Sequence, residues 1–262
     1  MTLTDELSFR RLCHEELSRA KVRDGIGLLG EKRLHSVLKR WISDDFTTHE
    51  QKVTGRGEKK RKFVADVLTR DGRVFEIQTG KLYPLRTKLA FYMEQTNHPV
   101  TVVHPLLCEK HISWMDPETG EVTSRRRSPL REAPLHGIAQ LAPFLPYLCD
   151  PRFSLLLPMI TAEEFRLLDG WGKGGKRGSH RYELIPVALT EVHRLASRED
   201  YLAHFPAGLP DTFTAKEFAK RTKLRSFALY DALAVFEHLG AIRRDGKRGR
   251  AVLYCQTKKE PS

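Results

Sequence analysis

Hydrophobic and polar residues alternate through Phe63–Lys81, and this pattern predicts two strands joined by a turn. Side chains along a strand point to opposite faces in turn. Glu76 and Gln78 therefore share one face of the second strand, while Phe75 and Ile77 point to the other. The sequence thus predicts a strand with a carboxylate on one face and an apolar surface on the other.

The turn between these strands decides which side chains meet across them. One geometry is a three-residue loop over residues 70–72, with Gly72 in the left-handed region. It sets Asp66 directly opposite Glu76. A two-residue Asp-Gly loop would instead pair Asp66 with Ile77 and send the two carboxylates to opposite faces. A site that uses both carboxylates therefore requires the three-residue loop.

Helical periodicity flanks this strand pair on both sides. Apolar residues repeat at helical spacing between 34 and 41, which places Glu31 near the start of a helix. A second helical pattern over 89–93 precedes a short apolar strand at 100–103. With His49–Val53 as the first strand, the predicted order is helix, strand, strand, strand, helix, strand.

Two carboxylates that face each other across strands repel, and burial makes this costly unless a cation neutralises them. Oxygen ligands suit Mg²⁺, with Mn²⁺ as a substitute, and Mg²⁺ also engages substrate phosphate. A metal held by Asp66 and Glu76, with Glu31 as a third carboxylate, lowers the pKa of a bound water and offsets charge on a phosphodiester. The alternative is an exposed hairpin with a solvated polar face.

The segment from Gly25 to Pro105 resembles the PD-(D/E)XK nuclease superfamily, with Glu31 on the first helix, Asp66 ending the second strand and Glu76-Ile-Gln78 on the third. The resemblance implies an α/β (α+β) fold with a restriction-endonuclease-like αβββαβ core. In that superfamily the Asp and Glu bind a divalent metal, and the last motif residue, usually Lys, positions or activates the attacking water. The catalytic residues implied here are Glu31, Asp66, Glu76, Gln78 and Lys81.

The sequence departs from the superfamily motif at two positions. Ala65 precedes Asp66 where Pro is usual, and Gln78 replaces the Lys. Gln carries no positive charge, but its amide orients a water, and some restriction enzymes of the superfamily use this variant. A displaced cation from Lys81 or Lys88 is an alternative.

The formal net charge of +12 favours a polyanionic partner. DNA is the expected partner and RNA stays an alternative, as does a generic anionic or acidic-lipid surface. The basic residues are also clustered, which strengthens this interpretation beyond a solvated surface. The clusters are Lys59–Lys62, Arg125–Arg127, Lys173–Arg181 and Arg243–Arg250.

The 4 cysteines are widely spread, without a CxxC pair, and are expected to be reduced. Residues 1–24 form a charged amphipathic helical segment rather than a signal peptide. No apolar stretch approaches the roughly 20 residues that span a membrane. We therefore expect a cytoplasmic, nucleoid-associated protein with no membrane partner.

Residues 25–134 form the predicted nuclease-like domain, which includes a basic hairpin over 110–125 built around a Pro-Glu-Thr-Gly turn. Residues 135–183 are predicted to connect it to a second domain. In this region we expect a helical stretch at 135–148, a short strand at Phe153–Met159 and a helix start at Thr161. The glycine-rich stretch that follows lacks the Walker spacing and is expected to be a flexible basic loop.

The C-terminal part, residues 184–262, resembles a winged helix-turn-helix domain. A capping box at Thr214 begins a short helix, a longer helix starts at Ser226, and a strand, basic turn and strand follow. Thr190–Ala196 is the expected first helix. In such domains the second helix of the motif enters the major groove and the wing touches backbone. The expected DNA-binding residues are Lys223, Arg225, Ser226, Tyr230, Lys247, Arg248 and Arg250; the alternative is a winged helix used for protein contact.

Three functions agree with these patterns. The first is a metal-dependent DNA endonuclease, for which cutting both strands favours a homodimer or two sequential nicks. The second is a DNA-binding regulator whose nuclease-like domain has lost its chemistry. The third is a nuclease subunit of a larger DNA-processing assembly, because this organisation also resembles the strand-cleaving subunit of some transposition machines.

Overall fold

The computed structural model describes residues 6–22, 30–56, 60–170 and 178–257, and gives the backbone alone for 17–22 and 30–32. The fold is a mixed α/β structure built mostly around one large sheet. The helices are α1 (Glu6–Val22), α2 (Gly30–Ile42), α3 (Arg86–Gln95), α4 (Pro134–Ala139), α5 (Arg198–Leu202), α6 (Ala215–Thr222) and α7 (Ser226–His238). Short 3₁₀ turns occupy Phe46–Thr48, Tyr83–Leu85 and Ala142–Tyr147.

The large sheet contains eight strands in the order β1-β2-β3-β4-β7-β5-β6, with β8 paired to β7. These strands are β1 (His49–Thr54), β2 (Lys62–Leu68), β3 (Val74–Ile77), β4 (Val100–Val103), β5 (Leu106–Met115), β6 (Val122–Arg127), β7 (Phe153–Leu167) and β8 (His180–Leu195). The first three strands are antiparallel, and β4 then runs parallel to β3. The predicted order of helix, three strands, helix and strand is confirmed for α2 to β4.

The hairpin between β2 and β3 has the predicted register. Val67 pairs with Phe75, and Leu68 pairs with Val74. The Thr69 amide then donates to the Arg73 carbonyl at 2.9 Å, which closes a three-residue loop. Gly72 adopts a φ of 82°, where a residue with a Cβ is strained. The turn chemistry therefore sets the strand register on which the two-carboxylate site depends.

Helices cover both faces of this sheet. The apolar positions of α2 that repeat at helical spacing are buried, and they pack with α1 against Phe75 and Ile77. Phe9 of α1 meets Trp41 of α2 edge to face at 6.0 Å. The opposite face, which includes Val74, packs against α3 and α4. The alternation predicted for β3 thus separates two cores.

The prediction that residues 135–183 only connect two domains is wrong. Strand β7, which lies in this region, is inside the large sheet and pairs with β4, β5 and β8. The predicted helix start at Thr161 is also wrong, since β7 continues to Leu167. Two consecutive glutamates there suggested a first helical turn. In the structure they are paired by cations across the sheet, with Arg125 on Glu163 and Lys110 on Glu164.

The C-terminal unit contains α5, α6, α7 and a three-stranded sheet in the order β10-β11-β9. Its strands are β9 (Thr212–Thr214), β10 (Ile242–Arg248) and β11 (Ala251–Gln256). The predicted short helix, long helix and final strand pair are confirmed. The helix predicted at Thr190–Ala196 is wrong, because these residues extend β8 and its pairing with β7. The predicted boundary at Leu184 lies inside β8, and the sheet moves it beyond Leu195.

Candidate active site

Strands β2 and β3 separate at Asp66. Their pairing ends at Val67 and Phe75, and one further step in the same register sets Asp66 opposite Glu76. At this point the Ile77 amide donates to the Asp66 carboxylate, Oδ2, at 2.7 Å, instead of to a strand carbonyl. The gap between the diverging strands is therefore occupied by a carboxylate.

Asp66 is held in its charged form. Burial by itself would raise the pKa of this carboxyl group. The contact with His35, the hydrogen bond from the Ile77 amide and the positive charge of Lys88 outweigh it and hold the pKa below its usual value. His35 Nε2 lies 3.4 Å from Oδ1, which is beyond the usual hydrogen-bond range, so this oxygen keeps capacity for another partner.

Glu76 lies opposite Asp66 in the strand register, but its pKa is shifted in the other direction. It is 2% exposed, and it accepts hydrogen bonds from Lys88 Nζ at 2.5 Å and from the Tyr92 hydroxyl at 2.8 Å. Burial raises its pKa to about 7, with the negative charge of Asp66 adding to the rise and Lys88 opposing it. Asp66 is therefore ionised, whereas Glu76 keeps a proton until the pH rises through about 7.

Lys88 is the cation that reaches the candidate site from α3, whereas the Lys81 side chain is exposed. Of the two displaced-lysine candidates, the structure thus brings Lys88 to Glu76. Gln78 follows β3 directly, and its side-chain amide donates to the Lys81 carbonyl at 3.0 Å. Its own backbone amide donates to Val103 of β4 at 2.9 Å.

A buried histidine fixes the segment that carries Gln78. His104 Nδ1 donates to the Gln78 carbonyl at 2.7 Å, and Gln140 Nε2 lies 2.9 Å from His104 Nε2. Burial lowers the pKa of His104, which keeps it neutral with Nε2 as an acceptor. The side-chain oxygen of Gln140, Oε1, accepts a hydrogen bond from the Leu82 backbone amide at 2.9 Å. These two residues were missed at the sequence level, because they lie 26 and more positions away from Gln78 and share no motif with it.

A third carboxylate was also missed. The β1–β2 register sets Glu50 opposite Asp66, so Glu50, Asp66 and Glu76 occupy one row across three strands. Glu50 has a φ of 53° and pairs with Lys39 Nζ at 2.7 Å. That hydrogen bond and charge lower the pKa of Glu50. The long connection between β1 and β2 gives no turn signal from which this register follows.

An open cleft of about 610 Å³ lies beside Asp66 on the α2 side. Its lining includes His35, Lys39, Arg40 and Glu50. Both cations of this lining are paired with carboxylates, Lys39 with Glu50 at 2.7 Å and Arg40 with Glu15 at 2.6 Å.

A divalent metal fits the chemistry of the Asp66–Glu76 pair. Mg²⁺ takes oxygen ligands and is commonly bound by one or two carboxylates, with waters and substrate phosphate completing the shell. Burial raises the pKa of Glu76 most, and the negative charge of Asp66 adds to that rise; a cation bound to both carboxylates would oppose both effects. Within the described part of the chain, no cluster of three or more His, Cys, Asp or Glu side chains is arranged to hold a metal. Glu31 lies in the first turn of α2, but its side chain falls outside the described residues.

The residues predicted to bind DNA lie at the surface of the C-terminal unit. Lys223 ends α6 with a φ of 63°, and Ser226 begins α7 with a φ of 50°. A groove of about 710 Å³ runs between α6 and the β10–β11 hairpin, where Arg248 contacts Glu217 at 3.1 Å. The exposed predicted residues are Lys223, Arg225, Ser226, Tyr230, Lys247, Arg248 and Arg250.

The Arg125–Arg127 cluster is less available than its sequence suggests, whereas Lys60, Arg61 and Lys62 are exposed. Arg125 pairs with Glu163 at 2.8 Å, and Arg127 pairs with Glu109 at 2.5 Å. Arg126 lies over the Trp114 ring at 5.4 Å. Lys59 and residues 171–177 of the glycine-rich loop fall outside the described residues. None of the helices in the described ranges combines the length and apolarity needed to cross a membrane.

Comparisons with known proteins identify a family for this chain but no activity. An uncharacterized protein of Treponema pallidum (strain Nichols) is 26% identical over 237 residues, which covers 88% of this chain and 86% of that protein. No solved structure matches the chain significantly. A family described as a domain of unknown function (DUF8091) matches residues 32–196, from α2 to the end of β8. Because this match spans more than half of the sequence, the chain belongs to that family.

Proposed function

We propose that the protein is a metal-dependent DNA endonuclease that hydrolyses phosphodiester bonds. In this proposal α2 to β4 is a restriction-endonuclease-like core, and residues 198–256 form a winged helix that holds DNA. One observation carries the proposal: Asp66 and Glu76 lie opposite each other where two strands part, with Glu76 buried beside the ionised Asp66. A structural ion pair has no need of the second carboxylate.

Asp66 and Glu76 are the residues that would hold Mg²⁺ or Mn²⁺. When bound, such an ion lowers the pKa of a water ligand and offsets charge on the phosphate. Asp66 is already ionised, whereas Glu76 must release a proton to bind an ion. Glu76 therefore makes ion binding depend on pH near neutrality.

The remaining residues have separate roles in this proposal. Lys88 keeps Glu76 in position and places a positive charge beside the reacting phosphate. Gln78 orients the attacking water through its amide oxygen, because its amide nitrogen donates to the Lys81 carbonyl. His104 and Gln140 are positioning residues that fix the Gln78 segment. The exposed cations of the C-terminal unit bind the DNA backbone.

The test is cleavage of labelled linear, supercoiled and branched DNA with Mg²⁺ or Mn²⁺. We expect wild-type protein to cut and Asp66→Ala to lose at least about 100-fold in rate. Asp71→Ala is the matched control, since Asp71 is an exposed carboxylate in the turn of the same hairpin. Gln78→Lys then shows whether Gln78 is the working residue. Equal cutting by wild type and Asp66→Ala would refute the proposal.

The Glu76–Lys88 contact also favours a second candidate, a DNA-binding regulator without nuclease activity. A lysine 2.5 Å from Glu76 supplies part of the counter-charge without a metal. In that case wild-type protein binds all three DNAs and cuts none, and Gln78→Lys does not restore cutting. A nuclease subunit that needs its assembly would also fail to cut alone, but addition of its partner would restore activity.

A further inference from the structure

The start of α7 presents two aromatic rings to solvent. Phe227 is 87% exposed, the highest value among the large apolar side chains that the structure describes, and Tyr230 is 60% exposed. They are three residues apart, which places them on the same side of the helix. We call Phe227 and Tyr230 the aromatic face of α7.

Packing of α7 does not require these rings. The helix buries a separate apolar stripe within the C-terminal unit, and this stripe also packs against α4 and the turn at Ala142–Tyr147. Its buried members are Leu229, Ala232, Leu233, Val235 and Phe236. A Phe ring left exposed at the start of a helix contributes almost no burial free energy to the fold, so the aromatic face is available to a partner.

Exposed cations directly precede the aromatic face. Lys223 and Arg225 are exposed in the turn that leads into it. On the β10 side, Arg244 and Tyr230 both lie close enough to influence the Tyr254 hydroxyl. Glu237 also lies there, but it pairs with Arg244 at 3.2 Å. Asp231 is the half-buried acid beside Tyr230.

We propose that the aromatic face of α7 stacks on unpaired bases, so that the C-terminal unit recognises single-stranded or branched DNA rather than a continuous duplex. This inference rests on DNA as the partner in the proposed function. Flat rings beside cations match a nucleic acid whose bases are exposed, since every base offers a π-face and every nucleotide a phosphate. Paired bases bury those faces. A Phe ring in the major groove has only the thymine methyl group to contact.

Binding measured in EDTA separates this inference from the nuclease proposal, because no metal-dependent cleavage occurs there. Two DNAs of equal length and phosphate number are compared, one a full duplex and the other a fork with unpaired arms. A 2-aminopurine in the arm next to the junction reports stacking by a loss of fluorescence. The variants are Phe227→Ala, Tyr230→Ala and Phe227→Leu, and Val187→Ala is the control, since Val187 is an exposed apolar residue of β8.

We expect each alanine variant to bind the fork about 10-fold more weakly and the duplex within about two-fold of wild type. Phe227→Leu should bind the fork as weakly as Phe227→Ala, because leucine keeps apolar surface but cannot stack. The 2-aminopurine signal should be quenched by wild type and by Val187→Ala alone.

Any one of four results would overturn the inference. Equal losses on both DNAs would make α7 a duplex reader, and full recovery in Phe227→Leu would show simple apolar contact. A change in oligomeric mass with unchanged DNA affinity would make the aromatic face a contact between copies of the chain. A protein that binds the fork but never cuts with metal refutes the nuclease proposal and keeps this inference. A protein that binds fork and duplex with equal affinity and cuts with metal keeps the nuclease proposal and refutes this inference.

Discussion

Two buried glutamates of the large sheet meet a lysine in the same way but ionise differently. Glu76 is 2% exposed and Glu164 is 3% exposed. Lys88 lies 2.5 Å from the first, and Lys110 lies 2.6 Å from the second. Burial pushes the pKa of both upward, yet that of Glu164 ends below its usual value and that of Glu76 rises to about 7.

The second neighbour of each glutamate explains the difference. Glu164 also accepts from Arg166 at 2.6 Å, so two cations surround one carboxylate. Glu76 has Asp66 instead, so one lysine stands against two carboxylates. A neutralised buried carboxylate supports a structural role, whereas excess negative charge marks a position where a cation or a proton binds. The ion pair alone would not distinguish the two.

The largest expected effects, on cleavage rate and on the free energy of unfolding, come from replacing the carboxylate of Glu76 or of Glu164. Glu76→Gln should lower metal-dependent cleavage at least about 100-fold with little loss of stability. Glu164→Gln leaves Lys110 and Arg166 without a counter-charge and should lower the free energy of unfolding by about 3 kcal/mol. Urea unfolding and cleavage per folded molecule measure the two effects. The comparison fails if the two variants exchange these phenotypes.

The pKa of Glu76 makes stability depend on pH in a defined direction. Its usual value is 4.5, so between about pH 4.5 and pH 7 the folded chain keeps a proton that the unfolded chain has lost. Stability relative to Glu76→Gln should therefore fall by about 3 kcal/mol as pH rises through that window. Glu164 has the opposite sign, because its contribution is present above pH 4.5 and is lost at lower pH. Urea unfolding from about pH 4 to pH 8 tests both signs.

Lys88→Met should move the pH dependence of cleavage. Lys88 opposes the rise in the pKa of Glu76, so its removal raises that pKa further. The cleavage profile should then shift to higher pH by about one unit. Lys81→Met is the control, because the Lys81 side chain is exposed. An unchanged profile in Lys88→Met, with lower activity at every pH, would show that Lys88 acts on substrate alone.

The smallest effect is on thermal stability. A millimolar divalent ion that binds only the folded state should raise the melting temperature of wild type by about 3 °C near pH 8. Asp66→Asn should show no shift, and the wild-type shift should shrink as Glu76 gains its proton at lower pH. A shift of equal size in Asp66→Asn would place the ion elsewhere.

The sequence could predict those parts of the site that depend on local geometry. Gly72 and the length of its turn determine the register of β2 and β3, and hence the meeting of Asp66 and Glu76. The predicted reach of Lys88 from α3 is also confirmed. Glu50 and His104 were not found, since their positions depend on a strand register without a turn signal and on packing against α4.

Long-range pairing also explains the largest errors. Thr190–Ala196 has no local feature that excludes a helix, but β7 offers a partner along the whole length of β8. Arg125 and Arg127 count as free charge in the sequence, while their carboxylate partners come from β7 and β5. Local periodicity therefore predicted one helix too many before the C-terminal unit, and local charge overestimated the number of free cations on the β5–β6 hairpin.

Strand β7 also constrains the order in which the chain folds during synthesis. From Leu155 onward, the residues of β7 that pair with β4 or β5 pair with β8 as well, so β4 and β5 follow one another along one edge and β8 covers the other. Until β7 leaves the ribosome, β4 has an unpaired edge, although β3, which carries Glu76, already has β2 and β4 as partners. A fragment that ends at residue 134 would expose this apolar edge and aggregate. The sheet that carries the site is therefore completed late, only after about three-fifths of the chain has been made.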